Sequence, residues 1–65
     1  MAKKIAEKLW KMWLLREEAK EGSQIYIIRN AKLYGAIELV KVMGFKVEFN
    51  PLVQGLSENP FIVEE

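Results

Sequence analysis

The chain has 65 residues, a length that corresponds to a single domain spanning 1–65. It carries ten basic and nine acidic side chains, for a net charge of +1, and it contains no cysteine and no histidine. This composition excludes disulfides and thiol chemistry. Any zinc site would have to use carboxylate ligands alone, which is unusual. The small net charge gives no overall attraction to nucleic acid.

Apolar residues make up 51% of the chain, a high fraction for so small a domain. A domain of this size buries only about 60% of the surface that its unfolded chain exposes, so its core needs additional support. With disulfides excluded, we expect that support to come from a homo-oligomer, with a dimer as first choice. The lysine and glutamate enrichment is typical of thermostable proteins, and designed sequences share part of it.

The first predicted element is a helix from Ala2 to about Lys20, with Gly22 as its stop signal. Trp10 and Leu14 lie outside its main apolar stripe and are neighbours at i,i+4. Either the helix has a wide buried face, or these two side chains contact another subunit or ligand. The main stripe has helical spacing and consists of Ile5, Leu9, Met12, Trp13, Leu15 and Ala19.

The charges of this helix oppose its dipole, because lysines crowd its first half and glutamates its end. Each such cation costs a few tenths of a kcal/mol, which an anionic partner or the acidic tail of another subunit would offset; the alternative is a solvated face. An interfacial membrane helix has a similar pattern, but the core needs this helix, so we expect no membrane partner. The lysines are Lys3, Lys4, Lys8 and Lys11.

The segment Gln24–Arg29 is rich in β-branched and aromatic residues, which predicts a strand that is apolar on both faces. Asn30 then suits a helix N-cap, and helical spacing from Leu33 to Met43 predicts a helix closed by Gly44. A second strand follows at 45–49, where apolar and charged residues alternate. A crossover helix between two strands predicts a parallel β-α-β unit.

The remaining segment predicts a loop and one more strand. Asn50-Pro51 and Asn59-Pro60 bound the loop, and Phe61-Ile62-Val63 forms a short strand that can run antiparallel to a neighbour. The predicted fold is therefore a small α/β (α+β-like) domain in the order α-β-α-β-β. Its three-stranded mixed sheet contains the parallel β-α-β unit, with the helices packed mainly on one face.

One candidate site follows from this topology. Arg29, Asn30 and Lys32 would lie at the carboxyl end of the first strand, where a helix begins and anions bind. The alternative is that Asn30 only caps the helix and the two cations are solvated. The sequence contains no nucleophile motif around Ser23 or Ser57 and no glycine-rich phosphate loop, so we expect no enzyme, no cofactor and no metal.

These observations favour a self-associating structural or interaction module without catalytic activity, with Trp10 and Leu14 in the interface. The alternative is a weak nucleic-acid-binding protein that uses the lysines of the first helix. Against it stand the small net charge and the scarcity of arginine. The sequence shows no targeting segment. The longest apolar run of its first helix is Met12 to Leu15, which is too short to span a bilayer, so we expect a cytoplasmic protein.

Overall fold

Two helices precede a β-hairpin in this fold. The computed structural model describes residues 1–65. Helix α1 spans Ala2–Glu18 and helix α2 spans Gln24–Val42, and they are followed by strand β1, Lys46–Phe49, and strand β2, Phe61–Glu64. The two strands form one antiparallel sheet, so the element order is α-α-β-β. Neither helix is both long enough and apolar enough to cross a bilayer.

The strand predicted over Gln24–Arg29 is wrong, because these residues form the first turns of α2. Ser23 caps the helix: its backbone is extended, and its Oγ accepts a hydrogen bond from the backbone N–H of Tyr26 at 3.2 Å. Gly22, with φ of 83°, turns the chain just before this cap. The β preference of Ile and Tyr is worth only tenths of a kcal/mol per residue, so the cap and the packing of one continuous helix outweigh it.

This correction removes the parallel β-α-β unit and the three-stranded mixed sheet. Asn30, predicted as an N-cap, lies in the interior of α2. The inward side of the helix repeats every seven residues through Tyr26, Leu33 and Val40, which are half-buried, buried and buried in turn. This repeat is continuous only when 24–42 is one helix, and it brings the whole segment against α1.

Other predicted elements are confirmed. The first helix was expected over Ala2–Lys20 and is found over Ala2–Glu18. The second helix ends as expected at Gly44, whose φ of 98° is the left-handed conformation that favours glycine and whose N–H donates to the carbonyl of Lys41. Strands are present in both segments where they were predicted, 45–49 and 61–63.

The hairpin buries one face against the helices. In its register Val47 pairs with Val63 and Phe49 with Phe61, so these four side chains share a face. Strand β2 contacts α1 and strand β1 contacts α2. Phe61 joins Leu9 and Leu33 in the central apolar cluster. The hairpin therefore closes the core that the two helices leave open.

The core is thin. Five of the 65 residues are buried, and the accessible surface is 4966 Å². A compact monomer of this mass, 7.6 kDa, exposes about 4300 Å². The excess, on the order of 700 Å², is close to the ~800 Å² that each partner contributes to a standard protein–protein interface. The buried residues are Leu9, Leu33, Val40, Pro60 and Phe61.

Candidate interaction surface

The side of α2 that faces away from α1 and the hairpin is apolar. Ile28, Gly35 and Val42 are seven residues apart and lie almost in line along this side. Leu39 lies next to Val42 on the same side, and Ile25 lies at its edge. All five residues are exposed, with Leu39 at 61% and Val42 at 82%. We call these five residues the outer face of α2.

Helix α2 is thus apolar on two opposite sides. Its inward side contains the buried Leu33 and Val40, and its outer face contains side chains of the same type in contact with solvent. A helix that is apolar all round is normally buried all round. Here one side has no protein covering it, so the helix has the composition of an interior element and the environment of a surface element.

The exposed apolar area is large for a monomer. Together with its flanks, the outer face has six large apolar side chains that are each more than half exposed, an area on the order of 700 Å². The largest apolar patch on a typical monomer covers about 300–600 Å² and is often functional. These side chains are Ile25, Ile27, Ile28, Leu39, Val42 and Met43.

Two charged residues border the outer face. Lys32 and Glu38 are exposed and lie on opposite edges of the line through Ile28, Gly35 and Val42. Glu38 Oε1 lies 3.9 Å from Nζ of Lys41, an exposed i,i+3 pair that contributes little to stability. The outer face therefore has an apolar centre with one positive and one negative edge.

The predicted interface residues Trp10 and Leu14 lie elsewhere, on α1. Both are half-buried, and Trp10 packs against the central apolar cluster. Nε1 of Trp10 donates a hydrogen bond of 2.6 Å to the carbonyl of Gly55, in the loop between β1 and β2. The indole of Trp10 thus has a partner within its own chain. Contact of Trp10 and Leu14 with another subunit stays a prediction.

The predicted nucleic-acid contacts lie on the surface of α1. Lys3, Lys4, Lys8 and Lys11 are all exposed, and none has a carboxylate oxygen within 4.0 Å. Lys4, Lys8 and Lys11 follow the i, i+4, i+7 spacing, so they share one side of the helix, while Lys3 lies to one side of them. This arrangement is a short stripe of cations open to solvent.

The residues of the predicted anion site lie inside α2, because the strand end on which that prediction rested does not exist. Nη1 of Arg29 donates to the carbonyl of Leu15 at 2.6 Å, at the end of α1. Oδ1 of Asn30 accepts from Nη1 of Arg16 at 2.8 Å. Lys32 is exposed at the edge of the outer face. Arg29 and Asn30 therefore hold α2 to α1.

A small aromatic cleft opens between the helices and the hairpin, with a volume of about 210 Å³. Arg16 is the only charged residue in it; its Nε lies 3.3 Å from Glu17 Oε2, and its guanidinium lies over the rings of Trp13 and Tyr26. The cleft is smaller than the ~300–1000 Å³ of ligand pockets and offers no acid–base pair. Its lining is Trp13, Arg16, Leu33, Tyr34, Ile37, Phe49 and Phe61. No group of three potential metal ligands is present.

The outer face of α2 was missed by the sequence reasoning, although a signal for it exists. Ile28, Gly35 and Val42 have the seven-residue spacing of a helical seam, but the seam is visible only if Gln24 to Val42 is taken as one helix. The comparisons with known proteins add no further assignment: the chain matches no protein-family model, no curated protein and no solved structure. The geometry of the outer face is thus the main basis for a function.

Proposed function

We propose that this chain is a self-associating interaction module with no catalytic activity of its own. The observation that carries the proposal is the outer face of α2, an apolar helix side that is uncovered in a single chain. Soluble monomers rarely expose so many large apolar side chains on one side of a helix, and large exposed apolar surfaces mark sites of protein association.

The energetics favour association. Burial of on the order of 700 Å² of apolar surface per chain at about 25 cal/mol per Å² contributes about 17 kcal/mol for each of the two chains. Lost translational and rotational freedom costs about 4–15 kcal/mol once for the pair, and the ordering of interface side chains costs more. The gross gain exceeds the loss of freedom, although area alone does not set the affinity.

The test is sedimentation equilibrium of the wild type and of Val42→Lys. We expect the wild type to associate at tens of micromolar and Val42→Lys to remain monomeric, because a lysine within the outer face introduces a charge that association would have to desolvate. Val42 is 82% exposed, so the substitution leaves the monomer core intact. A wild type that stays monomeric at high micromolar concentration contradicts the proposal.

The matched control is Leu52→Lys. Leu52 is 91% exposed and lies in the loop between β1 and β2, outside the outer face of α2. The change from an exposed aliphatic side chain to lysine is nearly the same as in Val42→Lys, so any general effect of added positive charge appears in both variants. We expect Leu52→Lys to associate as the wild type does. Equal loss of association in both variants would locate the contact elsewhere.

A second candidate function is nucleic-acid binding by α1, and the observation that favours it is the solvent-open lysine stripe. Binding of phosphates by Lys4, Lys8 and Lys11 weakens steeply with salt, because condensed counterions are released. Gel shifts on single- and double-stranded DNA and RNA at low salt test it, with Lys8→Gln/Lys11→Gln set against Lys41→Gln/Lys46→Gln. No retardation at tens of micromolar protein removes this candidate.

A further inference from the structure

We infer that the aromatic cleft between the helices and the hairpin binds a small ligand, a carboxylate that carries a single aromatic ring. This inference does not rest on self-association, because no residue that lines the cleft belongs to the outer face of α2. Three features carry it: the volume of the cleft, the rings that line it, and the open nitrogen of its one charged side chain.

The first feature is the volume, which matches one ring. The cleft measures about 210 Å³, less than the pockets that hold drug-sized ligands. An apolar cavity of about 150 Å³ lined by aliphatic and aromatic side chains is nevertheless large enough to bind benzene. Two of the lining residues, Leu33 and Phe61, are buried and form an apolar floor. The cleft therefore accommodates a ring with one short substituent and is too small for a nucleotide.

The second feature is the aromatic lining. Phe49 and Phe61 meet edge to face, with ring centroids 5.3 Å apart and ring planes at 72°. Trp13 lies 6.5 Å from Phe49, with the planes at 39°, and Tyr34 supplies a fourth ring. Tyr34 and Phe49 are exposed, so they present ring surface at the mouth of the cleft. Aromatic pairs in tilted and edge-to-face geometries gain more than area burial alone, which favours an aromatic ligand over an aliphatic one.

The third feature is Arg16, which determines the charge of the ligand. Its Nε lies beside Glu17 and its Nη1 donates to Oδ1 of Asn30, whereas its Nη2 donates to no atom of the chain. No buried side-chain nitrogen lacks a partner, so Nη2 is open to solvent. A carboxylate oxygen on Nη2 accepts a charge-assisted hydrogen bond, which is roughly twice as strong as a neutral one. Arg16 therefore provides the anchor for an acidic substituent.

The guanidinium of Arg16 is held in place before a ligand binds. It lies 5.8 Å from the centre of the Trp13 ring and 5.5 Å from that of Tyr26, and its side chain is 14% exposed. A group that is already ordered loses little freedom on binding. Its charge disfavours a ligand ammonium, which aromatic walls alone would accept. Glu17 offsets part of that charge, so a ligand with one negative charge is favoured over one with two.

A series of three ligands tests the inference on the wild-type chain. Phenylacetate, benzyl alcohol and benzylammonium share one ring and differ in charge, and each is titrated into the ¹⁵N-labelled protein at one pH. We expect phenylacetate to shift the amide and indole signals of Trp13, Tyr34 and Phe49 selectively. At the affinity per atom of small ligands, the dissociation constant should be on the order of 1 mM. Benzyl alcohol should bind about tenfold more weakly, because its hydrogen bond is neutral, and benzylammonium more weakly still.

Arg16→Gln and Arg29→Gln form a matched pair of variants. Both arginines hold the helices together, since Arg29 donates to the carbonyl of Leu15 and Arg16 to Asn30, but only Arg16 lines the cleft. We expect Arg16→Gln to bind phenylacetate no more tightly than benzyl alcohol, and Arg29→Gln to bind it as the wild type does. Equal weakening in the two variants overturns the role of Arg16.

The ligand series needs no substitution, so it decides the inference even where Arg16→Gln does not fold. The absence of selective shifts at the lining residues with tens of millimolar phenylacetate overturns it. Equal affinity for the acid, the alcohol and the ammonium shows an apolar cleft without anion recognition and overturns it as well. None of these results bears on self-association, which sedimentation measures separately.

Discussion

At the scale of single residues, Gly55 is the one glycine of the four where an added Cβ would meet other atoms. Its carbonyl accepts the hydrogen bond from Nε1 of Trp10, and a Cβ built on it would lie 2.6 Å from Cη2 of Trp13. Two indole rings of α1 thus approach the loop backbone at one residue. Glycine is required here for the space it leaves, since its φ is not in the left-handed region.

We expect Gly55→Ala to destabilise the fold by about 1–3 kcal/mol, because the methyl group forces a rigid indole ring to move in a packed region. The measurement is urea denaturation at a low protein concentration, where the chain is monomeric. Gly35→Ala is the matched control: it makes the same chemical change where no atom lies within 4 Å, so we expect it to raise monomer stability by about 0.5–1 kcal/mol. Equal effects of the two substitutions would contradict the packing of the loop on Trp13.

At the scale of elements, the start of α2 decides the fold. A run of six residues with Ile at three positions fits a strand or a buried helix equally well by periodicity, and intrinsic preference then favoured the strand. The capping serine at position 23 and the inward repeat of Tyr26, Leu33 and Val40 are the features that select a helix. Both are present in the sequence, but the capping role was assigned to Asn30, seven residues later.

The hairpin and the first helix were predictable because each has a local signal with only one interpretation. Alternation of apolar and charged residues from Phe45 to Phe49 specifies a strand with one wet face, and Asn-Pro pairs bound the loop that follows. The candidate surface was not predictable from the same reasoning. Ile28 was assigned to a strand and Leu39 to a helix stripe, so their common side could not be recognised before the two segments were joined.

The role of Ser23 can be tested by its hydroxyl alone. We expect Ser23→Ala to lower stability by about 1 kcal/mol, because the N–H of Tyr26 loses its acceptor at the start of α2. Ser57→Ala is the control: Oγ of Ser57 donates to the carbonyl of Gln54 in the exposed loop and caps no helix, so we expect a change within about 0.5 kcal/mol. Thermal melts of both variants at one low concentration give the comparison. A neutral Ser23→Ala would show that the cap does not hold the start of α2.

At the scale of the whole molecule, the thin core and the apolar surface are one property. A chain of 65 residues with two helices and a hairpin has too little interior for all its apolar side chains, so α2 buries one side within the chain and exposes the other. We therefore expect the stability of a single chain to be small, and we expect cover over the outer face to add to it. A second chain that binds only the folded state stabilises that state. The apparent stability should therefore depend on protein concentration.

Helix α2 offers two leucines that separate the two contributions, Leu33 at 2% exposure and Leu39 at 61%. We expect Leu33→Ala to cost about 2–5 kcal/mol at every protein concentration, because it leaves a cavity in the core. At about 4–8 °C per kcal/mol this lowers the melting temperature by about 10 °C or more, or unfolds the chain. Leu39→Ala leaves no cavity and replaces one good helix former by another, so we expect the dilute chain to melt near the wild-type temperature.

The two variants separate when the melts are repeated over a hundredfold range of concentration. We expect the wild-type melting temperature to rise with concentration, since the folded dimer gains by mass action while the unfolded chain does not. Leu39→Ala should lose most of this rise, because the truncation removes apolar contact area from the outer face. Any folded Leu33→Ala should keep the rise, from a lower melting temperature. A flat wild-type curve would show that the outer face of α2 stays exposed in solution. A full rise in Leu39→Ala would show that association uses another surface, with Trp10 and Leu14 of α1 as the next position to vary.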